Sequence, residues 1–123
     1  MDLSGHWEGI FSYPRALPPT PFTVTIRQHG NLLSGETTEP GQGGDTLFGL
    51  IEGHRAGASV AFVKTYDDHH AKPIHYAGTL NEESTEITGE WRIPGNWSGT
   101  FIMVREARQQ AKIERKVGET IDR

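Results

Sequence analysis

Two groups of reactive side chains stand out in this 123-residue sequence. Asp67-Asp68-His69-His70 sets two carboxylates beside two imidazoles, with His75 shortly after. Imidazole and carboxylate suit a divalent transition metal, and histidine also titrates near neutrality. Asp68, His69, His70 and His75 are therefore weak candidate metal ligands, and the same loop with Asp67 could do general acid–base work in a small isomerase or hydrolase. Adjacent residues rarely all face one ion, so the plain alternative is a solvated turn. The second group is Lys64, flanked at two-residue spacing by Phe62 and Tyr66. In a strand these three share a face. If that face is interior, the lysine must either reach water at an open end or meet an anion, because a buried unpaired charge is costly.

Other chemistries lack their signatures. No serine lies in a nucleophile-elbow pattern, and Gly41-Gln42-Gly43-Gly44 has neither the lysine nor the helix of a phosphate loop. The absence of cysteine removes disulfides, thiolate metal sites and thiol nucleophiles, and fits a reducing compartment. A net charge of −4 argues against a nucleic-acid partner. No apolar run approaches the length of a membrane span and the first residues lack a leader pattern, so a cytoplasmic protein with no membrane partner is expected.

The elements that must position these groups are strands. Fifteen glycines suit a turn-rich β-protein far better than a helical one. Alternation or turn punctuation marks residues 4–13, 22–28, 32–38, 46–54, 59–66, 74–80, 85–93 and 97–105. Residues 14–21, 39–45 and 67–73 read as long loops, whereas the connections after even-numbered strands are short turns. Hairpin-sized connections with no crossover helix predict an all-β fold, an eight-stranded antiparallel up-and-down barrel with one tight end and one open mouth. A two-layer sandwich is the alternative, but no length is spare for Greek-key returns. The barrel is expected over residues 1–105, with 106–123 forming a helical or disordered extension.

Parity then predicts the interior. With Trp7 inward, Phe11 and Tyr13 follow on the first strand, then Phe22, Val24, Ile26, Val60, Phe62, Tyr66, Ile74, Tyr76, Leu80, Ile87, Trp91, Phe101 and Met103. The fourth strand is ambiguous, since Leu47 and Ile51 compete with Phe48 and Leu50. Ile10, Ile102 and Val104 fall on the outer face, where they would pack against the C-terminal segment or mediate a homo-oligomer.

Gly5-His6-Trp7 on the first strand, seven further antiparallel strands and Arg105 at the end of the last resemble the calycin superfamily of lipocalin-like and avidin-like barrels. The resemblance implies a small-ligand-binding barrel in which Arg105 packs across Trp7 at the closed end, both being structural. Gly5-His6-Trp7-Glu8-Gly9 with Tyr13-Pro14 is also similar to the haem-binding nitrobindin group. That group carries its iron-binding histidine near the C-terminal strands, whereas this chain has no histidine after His75, and alternation turns His75 outward. No cofactor is therefore expected. The reading favoured by the residues is a non-enzymatic barrel whose pocket is lined by Tyr13, Phe62, Lys64, Tyr66, Tyr76 and Trp91. Its ligand would be flat or apolar and carry an acid or carbonyl group.

Overall fold

The computed structural model describes residues 2–66 and 72–105. The expected extension over 106–123 and the cluster Asp67, Asp68, His69 and His70 lie outside the described residues. The chain forms eight strands: β1 (Gly5–Ser12), β2 (Thr20–His29), β3 (Leu32–Pro40), β4 (Thr46–Ala56), β5 (Ser59–Tyr66), β6 (Ile74–Leu80), β7 (Glu86–Ile93) and β8 (Trp97–Arg105). Each pairs antiparallel with the next, and β8 pairs with β1 to close a barrel. A short 3-10 turn, Gln42–Gly44, interrupts the β3–β4 connection. None of the described helical residues forms a helix long and apolar enough to cross a membrane.

The tight end follows from turn chemistry. His29 pairs with Leu32 and Ala56 with Ser59, leaving two-residue loops. Such loops favour positive φ, which Gly30 and Gly57 supply at 62° and 59°. Between β6 and β7 the Asn81 side-chain oxygen accepts from the backbone N–H of both Thr85 and Glu86.

The interior is one contiguous core. Trp7, Val24, Ile26, Ile51, Ile87 and Met103 are essentially sealed from water, and Phe22, Phe62, Tyr76, Trp91 and Phe101 pack above them. The inward set continues on β3 and β4, where the sequence pattern is weakest. β3 runs to Pro40, so Glu39 belongs to a strand and points inward rather than lying in the second long loop. On β4, Ile51 is buried while Phe48 and Leu50 face solvent. Leu47, near the mouth on the inward parity, is also exposed. Gly49 and Gly53 take the inward positions of β4, next to the Lys64 stem and the Phe62 backbone respectively. The same exchange occurs at Gly99, which faces Trp91 across the β7–β8 ladder and leaves room for the indole.

The N-terminal residues plug the tight end. Leu3 is fully buried; its carbonyl accepts the Trp7 indole N–H at 2.9 Å, and its own N–H donates to Gln28. Arg105 pairs with Trp7 in the β1–β8 ladder and sets its guanidinium 4.6 Å from the indole centroid. One Arg105 Nη donates to the Asp2 carbonyl at 2.9 Å. The floor is thus a capped, largely apolar layer.

Candidate functional site

Polar chemistry inside the barrel is concentrated in its mouth half. Lys64 on β5 and Glu39 on β3 are buried at 1% and 7% exposure, and Lys64 Nζ donates to Glu39 Oε1 at 2.9 Å. The Tyr66 hydroxyl donates to the same carboxylate oxygen at 2.8 Å. Four rings surround the ammonium, those of Phe11, Tyr66, Tyr76 and Phe22, with centroids at 4.9, 4.9, 5.3 and 5.6 Å. Each presents π-electron density to the cation. Burial pushes the Lys64 pKa down, and the charge and hydrogen bond of Glu39 oppose that shift. Lys64 therefore neither reaches water at the mouth nor waits for an anionic ligand, because the protein supplies its own anion.

Burial is also the main reason that the Tyr66 and Tyr76 hydroxyls hold their protons far more tightly than free tyrosine, with the Glu39 charge adding to it. Two hydroxyls in this half are buried without a hydrogen-bond partner among the described residues, Tyr76 Oη and Thr37 Oγ1. Tyr76 is 2% exposed and Thr37 2%. The Tyr76 ring is held by a stacked Phe62 at 4.8 Å and an edge-on Phe101 at 5.0 Å. Its unmade hydrogen bond is therefore a property of a fixed ring.

Above this layer the aromatic side chains form the rim. Tyr13 lies just past the end of β1, stacks on Trp97 at 5.1 Å and meets Trp91 edge-on at 5.8 Å. Its hydroxyl hydrogen-bonds Thr20, and the Trp91 indole N–H donates to the Ser12 carbonyl. The six residues expected at the pocket thus divide into a buried set (Phe62, Lys64, Tyr76 and Trp91) and a partly buried set at the rim (Tyr13 and Tyr66).

Sequence reasoning missed Glu39, Thr37 and Trp97. A usable signal existed for the first two. Counting by twos from Leu33 along β3 passes through Gly35 and Thr37 to Glu39, and a buried lysine requires an anion nearby. His75 is exposed on the outer face of β6, and no group of three or more metal-ligating side chains occurs among the described residues.

These features define a closed eight-stranded antiparallel β-barrel with an aromatic mouth and a buried charged pair beneath it. No protein-family model matches the chain, and no curated protein does. Among solved structures the chain is similar to a redesigned β-barrel, with a TM-score of 0.73 and 13% identity over 85% of this chain and 91% of that one. It is also similar to a de novo designed fluorescence-activating β-barrel, with a TM-score of 0.63 and 13% identity over 84% of this chain and 93% of that one. At such identity the likeness shows the barrel fold, without assigning a family.

Proposed function

We propose that the protein binds a small, flat, mostly apolar molecule in the mouth half of the barrel, against Tyr13, Tyr66, Tyr76 and Trp91. A neutral hydrogen-bond acceptor on the ligand, such as a carbonyl, is received by the Tyr76 hydroxyl. The observation that carries this reading is the pair of buried hydroxyls, Tyr76 Oη and Thr37 Oγ1, that have no partner among the described residues, in the half of the barrel that holds the Lys64–Glu39 pair. Leaving a buried hydroxyl unpaired costs about 1–3 kcal/mol, a cost that a ligand acceptor would remove. Buried ion pairs are seldom kept for stability, because apolar residues of similar volume often do as well.

The Glu39 contact favours the carbonyl over the acid, the two ligand groups expected from sequence. An acid would meet a lysine whose charge is already matched and a carboxylate that repels it. A carbonyl needs only a donor. Phe62 acts beneath the site by holding the Tyr76 ring, and Lys64 with Glu39 fixes the local field. The calycin-like sequence pattern and the fold shared with a fluorescence-activating designed barrel support the same reading.

The test is calorimetric titration with a flat aromatic ketone and its matching aromatic carboxylic acid, on the wild type and on Tyr76→Phe. The ketone is expected to bind, the acid at least about tenfold more weakly, and Tyr76→Phe to weaken the ketone about fivefold to tenfold, the equivalent of one hydrogen bond. Equal binding of ketone by wild type and Tyr76→Phe, or tighter binding of the acid, would overturn the assignment.

A further inference from the structure

Pairing with Glu39 does not exhaust the chemistry of Lys64. A lysine ammonium has three N–H donors, and among the described residues only the one directed at Glu39 finds an acceptor. Around the rest of the group stand the rings of Phe11, Tyr66, Tyr76 and Phe22. A primary amine in apolar surroundings, with a carboxylate in hydrogen-bond contact, is equipped to act as a nucleophile. Burial favours its neutral form, and the carboxylate is placed to take the proton. The Tyr76 ring centroid lies 5.3 Å from Nζ, so a carbonyl whose oxygen accepts from the Tyr76 hydroxyl enters the layer that holds the amine.

We propose, building on the carbonyl-binding reading above, that Lys64 captures its ligand covalently as a protonated imine, and that the ligand class is a flat aromatic or conjugated aldehyde. Glu39 takes one proton from the ammonium across their 2.9 Å hydrogen bond, which leaves a lone pair on Nζ. Nζ attacks the carbonyl carbon while Tyr76 donates a hydrogen bond to the carbonyl oxygen. The C–N bond forms, the C=O π bond opens, and one proton moves from nitrogen to oxygen to give a neutral carbinolamine. Glu39 then returns its proton to that hydroxyl, the C–O bond breaks, and water leaves as the C=N bond forms. The net change is ammonium plus aldehyde to iminium plus water, with charge conserved and no oxidant or reductant required.

The surroundings suit the product as well as the reactant. A protonated imine keeps a positive charge at Nζ, so Glu39 stays matched and the four rings still face a cation. A ligand that instead displaced the lysine would leave a buried carboxylate unpaired. Tyr76 remains a neutral donor throughout, because burial makes its hydroxyl hold its proton. An aldehyde carbon is less hindered and more electrophilic than a ketone carbon, so the aldehyde proceeds to the imine where the ketone stops at the hydrogen bond. Entry is from the mouth, past Tyr13 and Tyr66, which are only partly buried.

The full-length protein is incubated with naphthaldehyde and sodium cyanoborohydride, which reduces an iminium to a stable secondary amine, and the alkylated lysines are located by peptide mapping. Lys64 is expected to react at least about tenfold faster than the exposed Lys72, because binding brings the carbonyl to it. Without the reductant, a red-shifted absorbance band of the bound aldehyde is expected in the wild type and not in Lys64→Met, and Tyr76→Phe is expected to slow its appearance about tenfold. Should Lys64→Met fail to fold, the mapping on the wild type decides alone. Alkylation of Lys64 no faster than that of Lys72 would overturn the proposal. Calorimetric titration with methyl naphthyl ketone separates the two readings: ketone bound with Lys64 unalkylated overturns the covalent step and leaves carbonyl binding standing, whereas neither ketone binding nor alkylation overturns both.

Discussion

Removing the lysine of the buried pair, by Lys64→Met, is expected to destabilise the protein more than its volume change alone suggests. Methionine fills nearly the same space, so the packing cost stays below about 1.5 kcal/mol. The larger effect falls on Glu39, which at 7% exposure keeps the Tyr66 hydrogen bond but loses the cation 2.9 Å away. Breaking a buried pair from one side costs about 3–5 kcal/mol. A domain of this size loses about 3–5 °C in Tm per kcal/mol, so the drop is on the order of 10–25 °C. Glu39→Gln, which leaves the ammonium buried beside a neutral amide, is expected to cost a similar amount. The double variant should recover most of the loss, because a neutral side chain at position 39 can still accept from Tyr66. Urea unfolding followed by tryptophan fluorescence reads each change as a shift in midpoint at constant slope. Should a single variant fail to fold, a folded double variant supports the coupling by itself. Single variants that each cost less than about 1 kcal/mol, with an additive double, would refute the reasoning.

Alkaline pH should unfold the protein through its tyrosines. Tyr66 and Tyr76 bind their protons more tightly folded than unfolded, so their stabilising effect is full below the unfolded value of about 10 and is lost as pH rises above it. Where both titrate only in the unfolded state, stability falls by about 2.7 kcal/mol per pH unit. Lys64 acts in the opposite sense below its ordinary value of 10.5: its folded pKa is lowered, so the unfolded lysine keeps a proton that the folded one has released, and stability rises with pH until the unfolded lysine loses it too. Tyrosinate absorbance that rises together with loss of tryptophan fluorescence checks the first effect. At the floor, Arg105→Ala is expected to cost about 1–3 kcal/mol from the lost cation–π contact and the hydrogen bond to the Asp2 carbonyl, read by thermal unfolding. Gly89→Ala is expected to cost more than about 2 kcal/mol, because the added methyl collides with the Ala77 carbonyl across the ladder and the backbone must move, with a lowered urea midpoint as the measure.

Alternation alone located β2 and the aromatic sides of β1, β5, β6 and β7, because there the large apolar residues point inward. It failed on β3 and β4 for a physical reason. The lumen has a fixed cross-section, and where Phe62 or the Lys64 stem fills it from β5, the facing positions on β4 must be small. Gly49 and Gly53 therefore take the inward places and Phe48 and Leu50 the outward ones, which inverts the usual hydrophobic signal. On β3 the inward set Leu33, Gly35, Thr37 and Glu39 contains one large apolar residue, so the strand reads as a loop towards its end. Glu39 and Lys64 are 25 residues apart, and their meeting depends on barrel closure order and register, which no local pattern carries.

The two ends of the barrel ought to respond oppositely to mutation, and Tyr76→Phe separates them. At the floor the Trp7 indole N–H is satisfied by Leu3 and its ring is covered by Arg105, so any truncation removes a made contact. At the mouth Tyr76 carries a buried hydroxyl with no partner among the described residues, so its removal subtracts an unmet need. Phenylalanine keeps the ring between Phe62 and Phe101. The ligand-free protein should then gain about 1–2 kcal/mol, or several degrees in Tm, from a change that weakens binding of the ketone. A stabilising substitution that costs function is what a site held short of its stability optimum would show. If Tyr76→Phe instead destabilises the ligand-free protein, the hydroxyl has a partner in solution, and the argument that it waits for a ligand fails. Arg105→Ala supplies the opposite control, a loss of stability with ketone affinity unchanged.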